Sequence, residues 1–473
     1  MAKTKFTRDL IFIVVLGLTL RLINIGQSFW LDEASQAQMS SLSLFQIWSG
    51  RAGDFHPPLF YFLSHYWQLI SKTETWLRLP SVIFGLINVF LVYIFAKKLF
   101  PEQKIKFGRW LVKIETVAGL LLAINPYSIY YSQEYRSYSL LGLLGTWSMY
   151  LLFTQNYFWL TIANIFLVYT HYSSVFLILT QLVFVTIYQK QNLSKYLNTL
   201  VFTFIIYLPW IPQLFRQIQS GINIDSYLPG WRQLLSVSAI KILPLTLFKQ
   251  VAGRITFISA PIYLIYFILV LTVIFLIFRF ADKHRNFLFT WVILPIFIMI
   301  LTSGLFPQNQ PFRVIYILSG LILIFTQAIV RFPKLFLTLL IYIALVGNLA
   351  YFTRPRLQRE QWRQALVSIQ SEMSASDLVV VKFSDKFSTI NWYAPNLPVL
   401  AAVPSFPAKP EEVAHSLYSL SQSDTRQIYL LDYLGDLTDP KREVDLALTN
   451  LGYIQQKTYD FPGVGFIHVL KRI

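Results

Sequence analysis

Long apolar runs limit most strongly what this chain can fold into. About eleven of them precede residue 353, and most are roughly 18 to 24 residues long. A helix of that length crosses a hydrocarbon core of about 30 Å. Hydrophobic residues make up 55% of the chain and charged residues only 13%, about half the charged share of a soluble globular protein. The sequence therefore predicts a polytopic α-helical membrane protein with about 11 transmembrane helices.

Basic residues orient these spans. Lys and Arg collect in short cytoplasmic loops, so the clusters near residues 97–113, 190–195, 279–285 and 331–334 place the N-terminus in the cytoplasm. An odd number of crossings then puts the C-terminal end on the external side. A very short turn at Tyr172–Ser174 separates spans five and six. The predicted spans lie at about residues 10–26, 79–99, 115–131, 137–154, 157–172, 173–189, 197–215, 257–280, 286–305, 313–330 and 333–352.

The positive charge belongs to the membrane part of the chain. The net charge is +17, and residues 1–353 hold 27 Lys and Arg against 10 Asp and Glu. Residues 354–473 hold 13 of each sign and are neutral. Because the excess follows the distribution typical of cytoplasmic loops, it indicates membrane topology, and no nucleic acid is expected as a partner.

The sequence predicts a small soluble α/β domain in the last part of the chain. We assign residues 1–353 to a transmembrane domain and residues 354–473 to an external domain. Helix-like and strand-like periodicity alternate in it, but neither a G-x-G-x-x-G motif nor a P-loop occurs. The predicted segments are helices at 360–373, 411–421 and 441–450, and strands at 378–383 and 427–431.

Within residues 1–353, few of the 10 acidic residues are expected on the external side. A carboxylate at the membrane edge is costly to place, and each is therefore a candidate for function. Four of the six such residues lie in three compact motifs. The six are Asp32, Glu33, Asp54, Glu74, Glu134 and Asp225.

The first motif, Ser28–Glu33, follows span one directly. Trp30 is an aromatic anchor of the kind found at membrane interfaces, and Asp32 and Glu33 are adjacent carboxylates. Adjacent side chains diverge, so one can do chemistry while the other holds structure. The alternative is an ordinary helix N-terminus, where the helix dipole favours acidic residues.

The second motif, Asp54–Leu59, contains two consecutive prolines that fix the backbone. They aim Asp54 and His56 from a stiff turn, which suits a binding or catalytic site. The alternative is a plain turn in which Asp54 only caps the following helix.

The third motif, Ser132–Tyr138, joins spans three and four on the external side. Glu134 and Arg136 stand two residues apart among tyrosines, which makes a polar rim at the membrane edge. The alternative is an interfacial aromatic belt with a charge pair.

Two further residues are candidates for binding a phosphate. His171 lies at the short external turn after span five, and Arg313 lies where the chain re-enters the membrane. The alternatives are a turn residue for His171 and an arginine that extends to the interface for Arg313.

The order, spacing and topology of these motifs resemble the GT-C superfamily of polyprenyl-phosphate-sugar glycosyltransferases. The most similar branch is glycosyltransferase family 39, with the protein O-mannosyltransferases and the lipid A aminoarabinose transferase. The resemblance is strong over roughly residues 10–190, whereas the later spans agree in number and in the re-entry arginine. The matching residues are Trp30-x-Asp32-Glu33, Asp54-x-His56-Pro57-Pro58, Glu74-x-x-x-Arg78-Leu79-Pro80 and Gln133-Glu134-x-Arg136-x-Tyr138.

The resemblance implies a membrane glycosyltransferase, mannosyltransferase-like, that moves a hexosyl or pentosyl group from a polyprenyl-phosphate donor to an acceptor on the external face, with inversion. Asp32 would be the catalytic base, because the attacking hydroxyl must lose its proton to a positioned carboxylate. Glu134 would be the second catalytic acid, which helps to hold acceptor or donor.

The resemblance also implies a set of binding residues around the leaving phosphate. Guanidinium groups bind phosphate bidentately, which favours Arg136 and Arg313, with His56 as a third donor. A divalent metal is an open alternative, with Asp54, His56 and Glu134 as its ligands. The substrate-binding candidates are Glu33, Asp54, His56, Arg136, Tyr138, His171 and Arg313.

Departures from the family leave the acceptor open. The chain lacks the large lumenal insert of eukaryotic protein O-mannosyltransferases, and Phe55-His56 replaces the Glu-Lys pair of the aminoarabinose transferase. The acceptor can therefore be a lipid, a glycan or a protein, and the C-terminal domain is expected to shape its side of the site. The compact architecture resembles bacterial members, which implies a multi-pass protein of the bacterial inner membrane with a periplasmic active site.

Two other functions compete with this one. A transporter or flippase of lipid-linked glycans would also be polytopic, but it would hold ionisable residues near the bilayer midplane, whereas these acids gather at the external ends of spans one to four. A non-catalytic scaffold would leave the clustered acids without a purpose.

Overall fold

The computed structural model describes residues 8–50, 55–223, 236–256, 259–304 and 308–473. Its contacts divide the chain into two compact units. The first consists of the described parts of Met1–Ile25, Leu44–Arg216 and Ser236–Leu357. The second consists of the described parts of Gly26–Ser43, Gln217–Leu235 and Gln358–Ile473.

Helices form nearly all of the described chain before residue 358. Short 3₁₀ turns at Lys190–Asn192, Leu208–Trp210, Pro311–Val314 and Pro355–Leu357 connect or end some of them. The α-helices are Arg8–Leu22, Leu31–Ser40, Leu44–Trp48, Leu59–Trp67, Glu74–Leu99, Ile114–Ala123, Pro126–Ser132, Tyr138–Phe153, Tyr157–Thr170, Ser174–Tyr188, Leu193–Tyr207, Ile211–Ile222, Ala239–Ala252, Ala260–Phe280, Arg285–Thr302, Ile317–Arg331 and Pro333–Thr353.

Each predicted span coincides with helical structure, so the polytopic helical architecture is confirmed in outline. By length and apolarity, 5 described helices could cross a membrane, namely Glu74–Leu99, Lys190–Ile222, Ala260–Phe280, Arg285–Thr302 and Pro333–Thr353. Shorter apolar helices occupy other predicted spans. Span three consists of two helices that meet at Asn125. The count of eleven crossings stays a prediction.

Glycines let helices of the first unit approach closely, as small residues do in membrane helix packing. A Cβ at Gly85 would overlap the hydroxyl of Ser132, and one at Gly145 would overlap the side chain of Tyr316. Gly85 therefore brings the helix Glu74–Leu99 against the first residue of the third motif, Ser132.

Two strands, β1 (Lys104–Phe107) and β2 (Trp110–Lys113), form an antiparallel hairpin in the loop after the helix Glu74–Leu99. This hairpin was not predicted from the sequence. Gly108 at its turn has a φ of +56°, a left-handed conformation that glycine adopts at low cost.

The C-terminal part of the second unit is built on a five-stranded mixed sheet. Its strands are β3 (Leu378–Val381), β4 (Val399–Ala401), β5 (Gln427–Leu431), β6 (Tyr453–Phe461) and β7 (Gly465–Arg472), in the order β4-β3-β5-β7-β6. Strands β4, β3 and β5 run parallel, whereas β7 pairs antiparallel with both β5 and β6. The helices are Trp362–Glu372, Ser388–Tyr393, Pro410–Ser416, Tyr418–Ser421, Gly435–Thr438 and Glu443–Asn450.

Both faces of this sheet are covered, which explains the unbroken apolar run in β3. Val379 and Val381 pack on one face with Trp362, while Val380 packs on the other face with Val413. The α/β character of this domain and two of its strands agree with the prediction. The strands β4, β6 and β7 were not predicted.

The second unit also includes Gly26–Ser43, a segment of the loop that follows the first helix. Helix Leu31–Ser40 packs against helix Ser388–Tyr393, and Leu31 contacts the same core cluster as Trp362. The predicted boundary after residue 353 stays a prediction, but the contacts join Gly26–Ser43 to the C-terminal domain.

Candidate active site

The turn at His56 forms the first-loop part of the site in the first unit. The two prolines after it are buried, and helix Leu59–Trp67 starts directly behind them, because proline presets φ for a helix start. His56 is partly buried, and its Nδ1 lies 3.4 Å from Nη2 of Arg136. The predicted residue Asp54 lies outside the described residues.

The third motif directly follows a capped helix, which fixes its start. Helix Pro126–Ser132 begins at Asn125, whose Oδ1 accepts the backbone N–H of Ser128 at 2.8 Å. Glu134 and Arg136 follow this helix and are only 1% and 5% exposed. A buried carboxylate and a buried guanidinium need specific partners, so both side chains have defined positions.

The guanidinium of Arg21, fully buried in the first helix, fastens the same segment. Its Nη2 donates to Oγ of Ser128 at 2.8 Å and its Nε donates to Oγ of Ser132 at 3.1 Å. Gln133 in turn donates from Nε2 to the carbonyl oxygen of Arg21 at 2.9 Å. Glu134 therefore directly follows a segment, Ser128–Gln133, that hydrogen bonds with Arg21 hold in place.

Aromatic rings connect the remaining candidates of the first unit. The ring centroids of His56 and His171 lie 5.1 Å apart, and those of His171 and Tyr138 lie 5.8 Å apart. Tyr138 also contacts Phe312, the neighbour of Arg313, at 4.9 Å between ring centroids. The structure thus brings side chains from four separate segments into one cluster.

The re-entry turn that carries Arg313 is held through its backbone. Ser173 donates from Oγ to the carbonyl oxygen of Arg313 at 2.5 Å, and Nδ1 of His171 lies 2.8 Å from that Oγ. Gln250 donates from Nε2 to the carbonyl oxygen of Pro311 at 3.3 Å. These bonds tie the turn to the His171 segment and to the helix Ala239–Ala252.

Two cations of this unit were not predicted as site residues. The guanidinium of Arg254 lies 4.7 Å from the ring centroid of Tyr130 and donates to its hydroxyl. Burial, and then the charge of Arg254, lower the pKa of Lys249 to about 8. The sequence did contain a signal, because it has no acidic residue between Asp225 and Asp282 to neutralise this pair.

Asp32 and Glu33 belong to the second unit. Both lie in the first turn of the helix Leu31–Ser40. Glu33 is fully buried, whereas Asp32 is partly exposed. The two adjacent acids therefore differ in exposure, and the division of roles between them stays a prediction.

The metal site proposed from the sequence stays a prediction, because Asp54, one of its three proposed ligands, lies outside the described residues. Within the described residues, no group of three His, Asp or Glu side chains could hold a metal ion. The guanidinium of Arg136 lies next to the ring nitrogen of His56. Its positive charge would repel a metal ion bound to that nitrogen.

The cluster of the first unit is defined as His56, Arg136, Tyr138, His171 and the Phe312-Arg313 turn, and it is called the polar cluster below. Glu134 lies near it, since its charge acts on the tyrosines of the helix Pro126–Ser132. The catalytic and binding roles of all these residues stay predictions.

No protein-family model and no curated protein matches the chain. Two solved structures are similar to it over nearly its whole length. ArnT from Cupriavidus metallidurans, bound to undecaprenyl phosphate, has a TM-score of 0.56 and 12% identity, with 97% of each chain covered. The Archaeoglobus fulgidus oligosaccharyltransferase, in complex with Zn and sulfate, has a TM-score of 0.55 and 12% identity, with 98% of this chain and 73% of that chain covered. The chain therefore shares the fold of these two proteins, as the resemblance of its motifs implied.

Proposed function

We propose that this protein is a membrane glycosyltransferase that moves a sugar from a polyprenyl-phosphate donor to an acceptor on the external face. The observation that supports this most is the polar cluster, in which four separate segments bring two imidazoles and a guanidinium together. It occurs in the fold of ArnT, a protein that has been seen with undecaprenyl phosphate bound.

The proposed reaction is a single displacement at the anomeric carbon. Asp32 takes the proton of the acceptor hydroxyl while that oxygen forms the new glycosidic bond. The bond between the anomeric carbon and the phosphate oxygen breaks, and its electron pair leaves with the polyprenyl phosphate. Attack from the side opposite the leaving group inverts the anomeric centre.

The negative charge that develops on the phosphate needs cations in place before the reaction. Arg136 and Arg313 are the proposed phosphate ligands from the polar cluster, since guanidinium groups match phosphate oxygens in pairs. Lys249 and Arg254 form a second basic pair in the same unit and are proposed to bind the donor as well. Glu134 is proposed to orient acceptor or donor hydroxyls.

The acceptor is a lipid, a glycan or a protein that carries a hydroxyl or amine nucleophile. The proposed location is the bacterial inner membrane, with the reaction on its periplasmic face. The apolar helices support integration into a membrane.

The test compares the purified full chain with its Asp32→Asn variant. Each is incubated with radiolabelled polyprenyl-phosphate sugars and a membrane extract, and label is followed into lipid, glycan and protein fractions. We expect incorporation by the wild type and a loss of at least about a hundredfold in the variant, the lower range for losing general base catalysis.

Asp424→Asn is the matched control, because Asp424 is an exposed aspartate of the same compact unit as Asp32. It should retain wild-type activity. Absence of incorporation with every donor would refute the transferase. Movement of intact donor across vesicle membranes without a new glycosidic bond would support the transporter instead.

A further inference from the structure

The helix that carries Asp32 has no side-chain cap of its own. Its N-cap residue, Trp30, makes no side-chain hydrogen bond to the helix, although the first N–H groups of a helix need partners from elsewhere. One such partner is far away in sequence, because Oε2 of Glu360 accepts the backbone N–H of Leu31 at 3.3 Å. All three residues belong to the second unit.

Glu360 is itself held by the C-terminal domain. Its carboxylate accepts a hydrogen bond from Nε1 of Trp362 at 2.7 Å and from the hydroxyl of Tyr433 at 3.1 Å. Behind it, a Cβ at Gly463 would lie only 2.8 Å from Cα of Glu360. Hydrogen bonds from the C-terminal domain thus fix the carboxylate of Glu360, and its Oε2 also faces the start of the helix Leu31–Ser40.

The backbone around Glu360 reinforces this contact. Ser28 donates from Oγ to the carbonyl oxygen of Glu360, and the backbone N–H of Arg359 donates to Oε1 of Gln27 at 2.8 Å. Two consecutive residues of the C-terminal domain therefore bind the segment that leads into the helix. The hydroxyl of Tyr393, in the same domain, accepts the backbone N–H of Phe29 at 2.6 Å.

The side of the helix is held separately. Oγ of Ser35 lies 2.8 Å from Oγ of Ser388, and Gln38 donates from Nε2 to the carbonyl oxygen of Ser388 at 2.8 Å. These two bonds keep the helix on the domain, whereas the contact at Glu360 fixes its first turn. That first turn is where Asp32 and Glu33 lie.

The carboxyl group of Glu360 has a raised pKa at this contact. Burial raises the pKa of Glu360 to about 7, the hydrogen bonds from Trp362, Tyr433 and Leu31 oppose this shift, and the charge of Asp32 adds to it. Asp32 on the helix and Tyr433 on the domain are the titratable groups that act on Glu360. Two acids that interact in this way are coupled, so protonation of one favours ionisation of the other.

We propose that Glu360 is a positioning residue, which caps the Asp32 helix (Leu31–Ser40) and holds its first turn on the C-terminal domain. The inference rests on the proposed function, in which Asp32 is the base. It assigns the C-terminal domain a part in catalysis, because the domain then determines where the base is held.

The activity test uses the full chain with Glu360→Ala and Glu360→Gln. Alanine removes the acceptor of three hydrogen bonds and should lower kcat about tenfold while the donor KM stays within about twofold. Glutamine keeps an acceptor oxygen for the N–H of Leu31 and should retain most of the rate. Glu372→Ala is the matched control, since Glu372 ends the helix Trp362–Glu372 at an exposed position.

A double-mutant cycle separates positioning from a general loss of stability. If Glu360 acts through Asp32, adding Glu360→Ala to the Asp32→Asn variant should lower the remaining transfer rate only slightly. A general structural defect would lower the transfer rate by the same factor in the wild type and in the Asp32→Asn variant. That result would overturn the proposal. Wild-type rates in Glu360→Ala would also overturn it while leaving the proposed function intact.

Amide hydrogen exchange supplies a readout that does not depend on activity. Glu360→Ala should raise the exchange rate across residues 28–34 about tenfold, while Glu360→Gln should raise it far less. Equal exchange in wild type and Glu360→Ala would refute the cap. If the wild type showed no transfer with any donor, the proposed function would fail and exchange alone would decide whether Glu360 holds the helix.

Discussion

Raising the pH from 6 to 8 should loosen the Asp32 helix from the C-terminal domain. The ordinary pKa of a glutamate is 4.5, and in the closed structure that of Glu360 is raised to about 7 by burial and by the charge of Asp32. When the helix opens, the carboxylate returns to water and regains its ordinary pKa. The closed state therefore binds the proton more tightly, and its stabilisation is complete below pH 4.5 and lost as the pH rises through 7.

The magnitude follows from the two pKa values. Each unit of difference corresponds to about 1.4 kcal/mol, so the largest effect, between pH 8 and pH 4, is about 3 kcal/mol. Between pH 8 and pH 6 the closed state gains about 1.4 kcal/mol, or about tenfold in the opening equilibrium. These values are upper limits, because Glu360 is partly exposed and water screens its charge.

The assay is amide exchange of residues 28–34 at several pH values, corrected for the intrinsic exchange rate. Wild-type protection should fall by up to about tenfold from pH 6 to pH 8, and Glu360→Gln should remove this dependence because it cannot titrate. Glu372→Gln should retain it. Protection that stays constant or increases with pH in the wild type would refute the reasoning, as would an unchanged dependence in Glu360→Gln.

Three further outcomes are expected in the first unit. Arg136→Gln should weaken donor binding by about 2 kcal/mol in a direct binding assay, the range for a charged hydrogen bond, while the exposed control Arg109→Gln should bind normally. The affinity for polyprenyl phosphate should fall above pH 8 as Lys249 loses its proton, and Lys249→Gln should abolish that part of the pH dependence. Gly85→Ala should destabilise the protein by about 1–3 kcal/mol because its Cβ would overlap Ser132; an unchanged thermal midpoint would contradict this.

Much of the membrane part was predictable because its signal is local. A run of apolar residues long enough to cross a bilayer has few alternatives to a helix, since every backbone polar group must be satisfied within the segment. The break of span three at Asn125 also has a local cause, the cap that its side chain makes. The stiff turn at His56 was predictable for the same reason, because its prolines restrict the backbone by themselves.

The polar cluster could be predicted only as a set of separate motifs. The contact between His56 and Arg136 spans 80 residues, and the one between Ser173 and Arg313 spans 140. Periodicity carries no information about such distances. The role proposed for Arg254 was missed because an arginine beside an apolar run also fits a simple interfacial position.

Strand prediction failed where the pattern was weak. Strand β6 is exposed along most of its length, so it lacks the apolar alternation that identifies a half-buried strand. Strand β4 has only three residues. Both strands are defined by their neighbours, β3 for β4 and β7 for β6, and context of that kind outweighs intrinsic preference in sheets.

The association of the first-loop helix with the C-terminal domain was the least predictable feature, and it changes how the domain is understood. Leu31 and Glu360 are separated by 329 residues and Ser35 and Ser388 by 353, so no local pattern could have joined them. The sequence divides the chain at residue 353, yet the contacts place Gly26–Ser43 in the C-terminal unit. The position of the proposed base, Asp32, therefore depends on the C-terminal domain as well as on the first loop, to which Asp32 belongs in sequence. A change in the domain that moves its carboxylate at residue 360 acts on the first turn of the helix, and by that route on the rate of transfer.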